Sequence, residues 1–422
     1  MVLRHLGKFY VLLLLLVGGA GAVWIAPRGL REEAIGAAGR LPTERVLQPA
    51  EWNARVRALP ETHEIGRPGG TLFLPIEKYP STFNIWAENS AHTWSAVGTL
   101  WEALVLPDPV TLDPVPCLAE RFECAPDRRT WTFHLRTDVL WSDGVPFTAE
   151  DVVFTYRDVI LNKEIMGDIS GRYSKDVEDP ETGVVRRVST TVEALDQYTV
   201  RIALPAPDRL FPVETSPIFP AHVLRRHVED GRLRQCWGLD TPPQELVGTG
   251  PFLLETAVHG ERLVYRRNPR YWQRDRAGNP LPYLDRLVLT VIESKDQRAL
   301  AMQAGAIDIV DVPPEIYPDL LTTEARSPFT IHRLGYSTIP AFVCFHQDGG
   351  RNKDGEPFVP PHKLAWFRDK RFRLAFAHAL DRQAMIDNVF SGLGAPLHSP
   401  VSPGNAIYYH DGVRKYSYDL AR

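Results

Sequence analysis

The chain has 422 residues, which is too long for one ordinary hydrophobic core and sets an expectation of two or three domains. With 44% hydrophobic residues, including 10 Trp, 14 Tyr and 18 Phe, it can fill globular cores and is not disordered by composition. A net charge of −4 lends no support to nucleic-acid binding, which needs a basic face.

The first predicted element is "MVLRHLGKFYVLLLLLVGGAGAVWIA". Arg4 and Lys8 precede an apolar run from Phe9 to Val17, and Ala20-Gly21-Ala22 fits the small-x-small rule for signal peptidase. This reads as a signal peptide over 1–22. The alternative is an uncleaved membrane anchor, because apolar residues continue through Ala26. No cysteine follows the run, which argues against a lipoprotein anchor, and either way the bulk of the chain is exported.

Residues 23–66 mix Arg, Glu, Ala and Pro with few apolar residues and read as a linker. Gly69-Gly70 then precede a short strand over Thr71–Ile76. In "TWSAVGTLWEALV", Trp94, Val97, Leu100, Trp101 and Leu104 fall at helical intervals. Trp131, Phe133 and Leu135 alternate with Thr132, His134 and Arg136, the period of a half-buried strand.

Asp143-Gly144 and Pro146 make the turn that follows. Thr148 and Asp151 form a capping box, and Val152, Val153, Tyr156, Val159 and Ile160 supply the apolar stripe behind it. Every polar residue of this stretch therefore has a local structural task. No His or Cys stands beside Ser142 to make it a nucleophile.

Two strands are predicted around His259-Gly260. Gly248 and Gly250 just before them do not make a phosphate loop, since Pro251 and a strand follow and no Lys-Ser/Thr ends the motif. "YLDRLVLTVIESKDQRALAMQAGAIDIVDV" reads strand, helix, strand, with Gly305 ending the helix and Ile307, Ile309 and Val312 beginning the second strand. That βαβ pattern points to α/β architecture.

"FTIHRLGYSTIPAFVCFHQ" supplies two extended runs. Two helices follow: Phe372, Phe376 and Leu380 line the first, while Asp381 caps the second and Gly392 ends it. His378 reads as a histidine at the edge of a core. The chain stops at "YSYDLAR", where a further helix begins, so the expectation is a fragment.

Four cysteines fit an oxidising compartment. Cys117 and Cys124 are close enough in sequence to pair, whereas Cys236 and Cys344 are isolated; small buried thiols or one structural disulfide both remain open. No Cys-x-x-Cys spacing occurs, and His222 and His227, five apart, do not share a helical face. No metal or cofactor is expected. Neither Gly-x-Ser-x-Gly nor His-Glu-x-x-His is present, so no enzyme is expected either.

Taken together, "LRTDVLWSDGVPFTAEDVVFTY", "GTGPFLLETAVHGERLVYRRNPRYW", "RALAMQAGAIDIV" and "FRDKRFRLAFAHALDRQAMIDNVFSGLGAP" resemble the extracellular solute-binding proteins of family 5. These are the peptide- and nickel-binding components of ABC importers. The resemblance covers residues 67 to 422 and makes Trp141-Ser142-Asp143-Gly144 a scaffold corner.

The resemblance implies a two-lobed α/β fold of the type II periplasmic-binding-protein kind, with an extra domain inserted in the first lobe. The first lobe then falls at 67–85 and 196–335, the insertion at 86–195, and an incomplete second lobe at 336–422. The implied function is peptide capture between the lobes in the periplasm and delivery to an inner-membrane permease by a monomeric carrier. Nickel chelates, oligosaccharides or a membrane-anchored sensor are the alternatives. Carried over by position, the ligand contacts are Glu77, Lys78, Asp311, Val312, Tyr336, Phe342 and Cys344.

Overall fold

The computed structural model describes residues 23–27 and 65–421, apart from 108–112, 167–172, 179–182, 209–210, 328, 334–335, 338–339 and 405–408. The expected signal peptide over 1–22, and the expected linker apart from 23–27 and 65–66, lie outside the described residues. Those described fall into two compact units: residues 65–310, and residues 311–421 together with 23–27. Among them, no helix is long and apolar enough to cross a membrane.

The first unit holds two four-stranded sheets. One has the order Phe252–Val258, Arg262–Arg267, Arg286–Val291, Thr71–Ile76, the last pair parallel with Leu287 opposite Leu72 and Leu289 opposite Leu74. Leu72, Leu74 and Ile76 are buried while Phe73 faces outward, which is the two-residue period of a half-buried strand. Asp308 holds the free edge of Thr71–Ile76. Its Oδ2 accepts the Phe73 N–H at 2.8 Å and its own N–H donates to the Phe73 carbonyl at 2.8 Å. The expected hairpin turns at Gly260, whose φ of +72° favours glycine.

The helix Lys295–Gln303 starts at Ser294, whose Oγ accepts the Gln297 N–H, and stops at Gly305 with φ +70°. The strand after it reduces to Val310–Asp311 and does not join this sheet. The parallel partner of Arg286–Val291 is Thr71–Ile76 instead, so the expected βαβ unit is corrected. The helix is there, but its crossover does not return beside the strand that precedes it.

The second sheet is antiparallel in the order Ala119–Cys124, Thr130–Leu135, Thr199–Ala203, Thr191–Asp196. Trp131, Phe133 and Leu135 are buried, as their alternation requires. The helix Ala149–Val153 widens into a π-helical stretch over Phe154–Ile160. Sequence spacing suggested an α-helix throughout. The burial of Val152, Val153, Phe154, Thr155 and Tyr156 in succession leaves this segment enclosed on more than one face.

The helix expected through Leu104 spans only Ala91–Val97, because Gly98 closes it. Leu100, Trp101 and Leu104 beyond it are nevertheless buried. Trp101 stacks on Trp237 at 4.8 Å between ring centroids, and Phe219 meets Trp86 edge-on at 4.2 Å.

In the second unit, Phe329–Arg333 pairs antiparallel with Val23–Pro27. The other extended run, over 340–347, carries no regular structure and exposes Phe342 and Val343. An apolar run becomes a strand only where a neighbour takes its backbone hydrogen bonds, and this one has no strand beside it among the described residues. Helices cover Pro361–Arg368, Lys370–Ala379 and Arg382–Val389. Asp381 accepts the Ala384 N–H at 2.9 Å as the expected cap, and Gly392 follows with φ +77°. Phe345 packs against Phe367, Phe372 and Phe376, with centroids 5.2, 5.6 and 5.0 Å away.

Candidate functional site

The corner at Trp141–Gly144 lies in the first unit, and its polar groups are engaged one by one. Trp141 is fully buried, donates its N–H to the Val145 carbonyl at 2.8 Å, and accepts the Gly144 N–H at 2.8 Å. Gly144 has φ +97°, so a side chain there would be strained. Asp143 Oδ1 accepts the Val145 N–H at 3.1 Å, and its Oδ2 lies 2.7 Å from His222 Nε2.

Asp151 is the hub. Its Oδ2 accepts from the Thr148 N–H at 2.9 Å and the Trp141 Nε1–H at 3.3 Å, while its Oδ1 accepts the Ala221 N–H at 2.9 Å. Burial raises its pKa, and those three bonds and the His222 ring oppose the rise. The Asp151 half of the capping box therefore also ties the helix start to the Pro220–Ala221 segment, a long-range bond that local pattern does not disclose.

Ser142 is likewise structural. Its N–H donates to the Gly248 carbonyl at 2.9 Å, its Oγ accepts the Gly248 N–H at 3.2 Å, and its carbonyl accepts from Arg270 at 2.8 Å. Gly248 and Gly250 are glycines for close approach. A Cβ would lie 2.0 Å from the Leu100 carbonyl oxygen at the first and 2.1 Å from that of Thr99 at the second. The Gly250 N–H instead reaches the Leu100 carbonyl at 2.9 Å, so the loop is filled by this chain's own backbone.

All four cysteines are free thiols, so Cys117 and Cys124 are not joined. Cys117 is buried and points its Sγ to Glu102 Oε1 at 3.6 Å, while Cys124 donates to the Ala125 carbonyl at 3.5 Å. Burial pushes the Cys236 thiol up to about 12. His378 Nδ1 lies 2.7 Å from the Ser417 carbonyl oxygen, in keeping with a histidine at a core edge. Among the described residues no cluster of His, Cys, Asp and Glu has the makings of a metal site.

The expected ligand contacts fall in both units. Glu77 and Lys78 follow the strand Thr71–Ile76 and are exposed, with Arg298 Nη2 4.0 Å from Glu77 Oε2. In the second unit Asp311 is exposed, Val312 is buried, and Tyr336, Phe342 and Cys344 are exposed, Tyr336 by 54% and Phe342 by 77%. Sequence reading passed over Glu102, which proves to be a buried acidic residue. Its signal was a lone acid inside the apolar run "TLWEALV".

The fold built on this corner is that of the type II periplasmic binding proteins. Helicobacter pylori DppA, a periplasmic binding protein solved with the peptide STSA, matches with a TM-score of 0.58 at 21% identity, over 84% of this chain and 65% of that one. A family model for bacterial extracellular solute-binding proteins, family 5, middle region, matches residues 113–422, and the chain belongs to that family.

A probable ABC transporter-binding protein of Deinococcus radiodurans is 27% identical over 329 residues, which is 74% of this chain and 51% of that protein. A putative ABC transporter peptide-binding protein of Brucella ovis is 28% identical over 348 residues, or 81% of this chain and 56% of that protein. The chain thus spans about half the length of the curated relatives it matches.

Proposed function

We propose that this chain is the solute-binding component of an ABC importer, that it takes peptides, and that it works outside the cytoplasmic membrane with a permease as partner. The observation that carries the reading is the family match over 113–422, joined with the peptide-binding description of the Brucella relative. The engaged polar groups of the Trp141–Gly144 corner agree with it, since a scaffold without an activated nucleophile suits binding rather than catalysis.

In this reading Glu77 and Lys78 of the first unit, and Asp311, Tyr336, Phe342 and Cys344 of the second, contact the ligand. Val312, the remaining position carried over, is buried, which counts against a direct contact there. Main-chain hydrogen bonds to an extended peptide would give affinity whatever the peptide side chains are.

The test is a thermal-shift screen of the purified chain against di- to hexapeptides, nickel and oligosaccharides. A ligand that binds only the folded state at about 100 times its Kd adds roughly 2.7 kcal/mol. At about 2–4 °C per kcal/mol that is a rise of roughly 5–10 °C. A rise with peptides alone supports the proposal; a rise with nickel or oligosaccharides alone transfers the assignment to that ligand class.

A further inference from the structure

Glu102 stands in the first unit on the segment between the helix Ala91–Val97 and the strand Val105–Pro107. Its Oε1 accepts from the Tyr271 hydroxyl at 2.9 Å and the Cys117 thiol at 3.6 Å, and its Oε2 accepts from Trp272 Nε1–H at 3.0 Å. Tyr271 Oη also lies 3.3 Å from Gln273 Oε1. Among the described residues no ion pair reaches Glu102.

The charged groups facing the cluster are Arg136 and its partner Asp138. The Arg136 guanidinium sits 4.3 Å from the Trp272 ring centroid and is held by Asp138 at 2.8 Å. The other titratable groups are Cys117 and Tyr271, both raised well above their usual values, first by burial and then by Glu102 itself. Both therefore stay neutral, and Glu102 is the group of the cluster left to change charge. Burial pushes its carboxyl up to about 7, against the opposing hydrogen bonds from Trp272, Tyr271 and Cys117.

We propose that Glu102 is a proton-operated clasp between the 99–104 and 268–273 segments of the first unit. Ionised, it accepts the Tyr271 hydroxyl hydrogen. On taking one proton from solvent it donates to the Tyr271 oxygen instead, and the Tyr271 hydroxyl turns to Gln273 Oε1. One proton enters, the Glu102–Tyr271 hydrogen bond reverses direction, the Tyr271 hydroxyl hydrogen passes to Gln273 Oε1, and no covalent bond other than the carboxyl O–H is made. The clasp reaches the core on both sides, because Trp101 beside Glu102 stacks on Trp237 and the Leu100 carbonyl receives Gly250.

The sign follows from the direction of the shift. A carboxyl whose folded pKa exceeds its unfolded value gives stability that is fully present below the unfolded value, near 4.5, and lost as pH rises through about 7. The melting temperature of the full chain should therefore fall between pH 5 and pH 8, and this fall should be absent in Glu102→Gln.

The direct test is infrared difference spectroscopy of the full chain between pH 5 and pH 9, which reads the band of a buried protonated carboxyl. The wild type should lose a band with a midpoint near neutrality, and Glu102→Gln should lack it. Asp151 and Asp308, the other carboxyls raised by burial among the described residues, are untouched by that change and serve as internal controls. Trp272→Phe removes one donor to the ionised form and should raise the midpoint by about one pH unit. A near-neutral band that survives in Glu102→Gln overturns the clasp. If that variant does not fold, a midpoint unmoved in Trp272→Phe overturns it.

Discussion

Replacing Asp151 with Asn tests whether the corner is held as its geometry implies. The native carboxylate accepts three hydrogen bonds, from the Thr148 and Ala221 amides and from the Trp141 indole, and the residue is 4% exposed. An Asn offers one oxygen. Whichever way the amide is turned, its NH2 faces at least one N–H that has lost its acceptor. A buried donor left unsatisfied costs about 1–3 kcal/mol, and a bond to a charged group is worth about 1.5–3 kcal/mol. Relief of the burial cost that raises the Asp151 pKa offsets part of this.

The net expectation for Asp151→Asn is a loss of roughly 2–4 kcal/mol. For a unit of this size about 2–4 °C per kcal/mol applies, so the transition should fall by roughly 5–15 °C in differential scanning calorimetry. Trp141→Phe removes the longest of the three bonds and also leaves a void where the fully buried indole stood, so it should itself cost about 2–3 kcal/mol. A transition for Asp151→Asn within about 2 °C of wild type would refute the reasoning.

Gly250→Ala places a Cβ 2.1 Å from the Thr99 carbonyl oxygen, a backbone atom that cannot rotate away, and should cost at least about 2–3 kcal/mol by thermal denaturation. Gly260→Ala meets nothing within 4 Å and should cost only the roughly 1–2 kcal/mol of its left-handed backbone, so the order of the two variants is itself a check. In a thiol-reagent titration Cys344, which is exposed, should react first, and Cys117, buried against Glu102, should react only on unfolding. Tyr336→Ala and Phe342→Ala remove exposed side chains. They should leave the ligand-free melting temperature within about 1 °C while diminishing any peptide-induced rise, and an undiminished rise would remove both from the proposed contacts.

What was legible in the sequence was what is settled within one turn of chain. The alternation of Trp131, Phe133 and Leu135, the Thr148–Asp151 helix start, and the glycines ending helices at 305 and 392 each depend on residues a few positions apart. The fold class was legible through the order of several such stretches. What escaped depends on distant partners. The parallel pairing of Arg286–Val291 with Thr71–Ile76 leaves no local mark, because a strand buried by its sheet reads the same whichever neighbour it takes. The helix limit at Gly98 was obscured because Leu100, Trp101 and Leu104 keep helical spacing although a loop buries them. Glu102 was missed for the same reason: its donors lie at 117, 271 and 272, and only the oddity of an acid in an apolar run hinted at it.

The stretch most recognisable in the sequence is, by this geometry, poorly placed to choose a ligand. Trp141 spends its indole N–H on Asp151, Ser142 its hydroxyl on Gly248, and Asp143 its two oxygens on Val145 and His222. A group already engaged within its own unit must break a bond before it can recognise a solute, at a cost comparable to the bond it would gain. Specificity is therefore expected from side chains with surface still open, such as Lys78, Tyr336 and Phe342. This is why one scaffold can carry several ligand classes: exchange at open positions leaves the buried hydrogen bonds of the corner untouched, whereas exchange at Asp151 or Gly250 disturbs the scaffold itself.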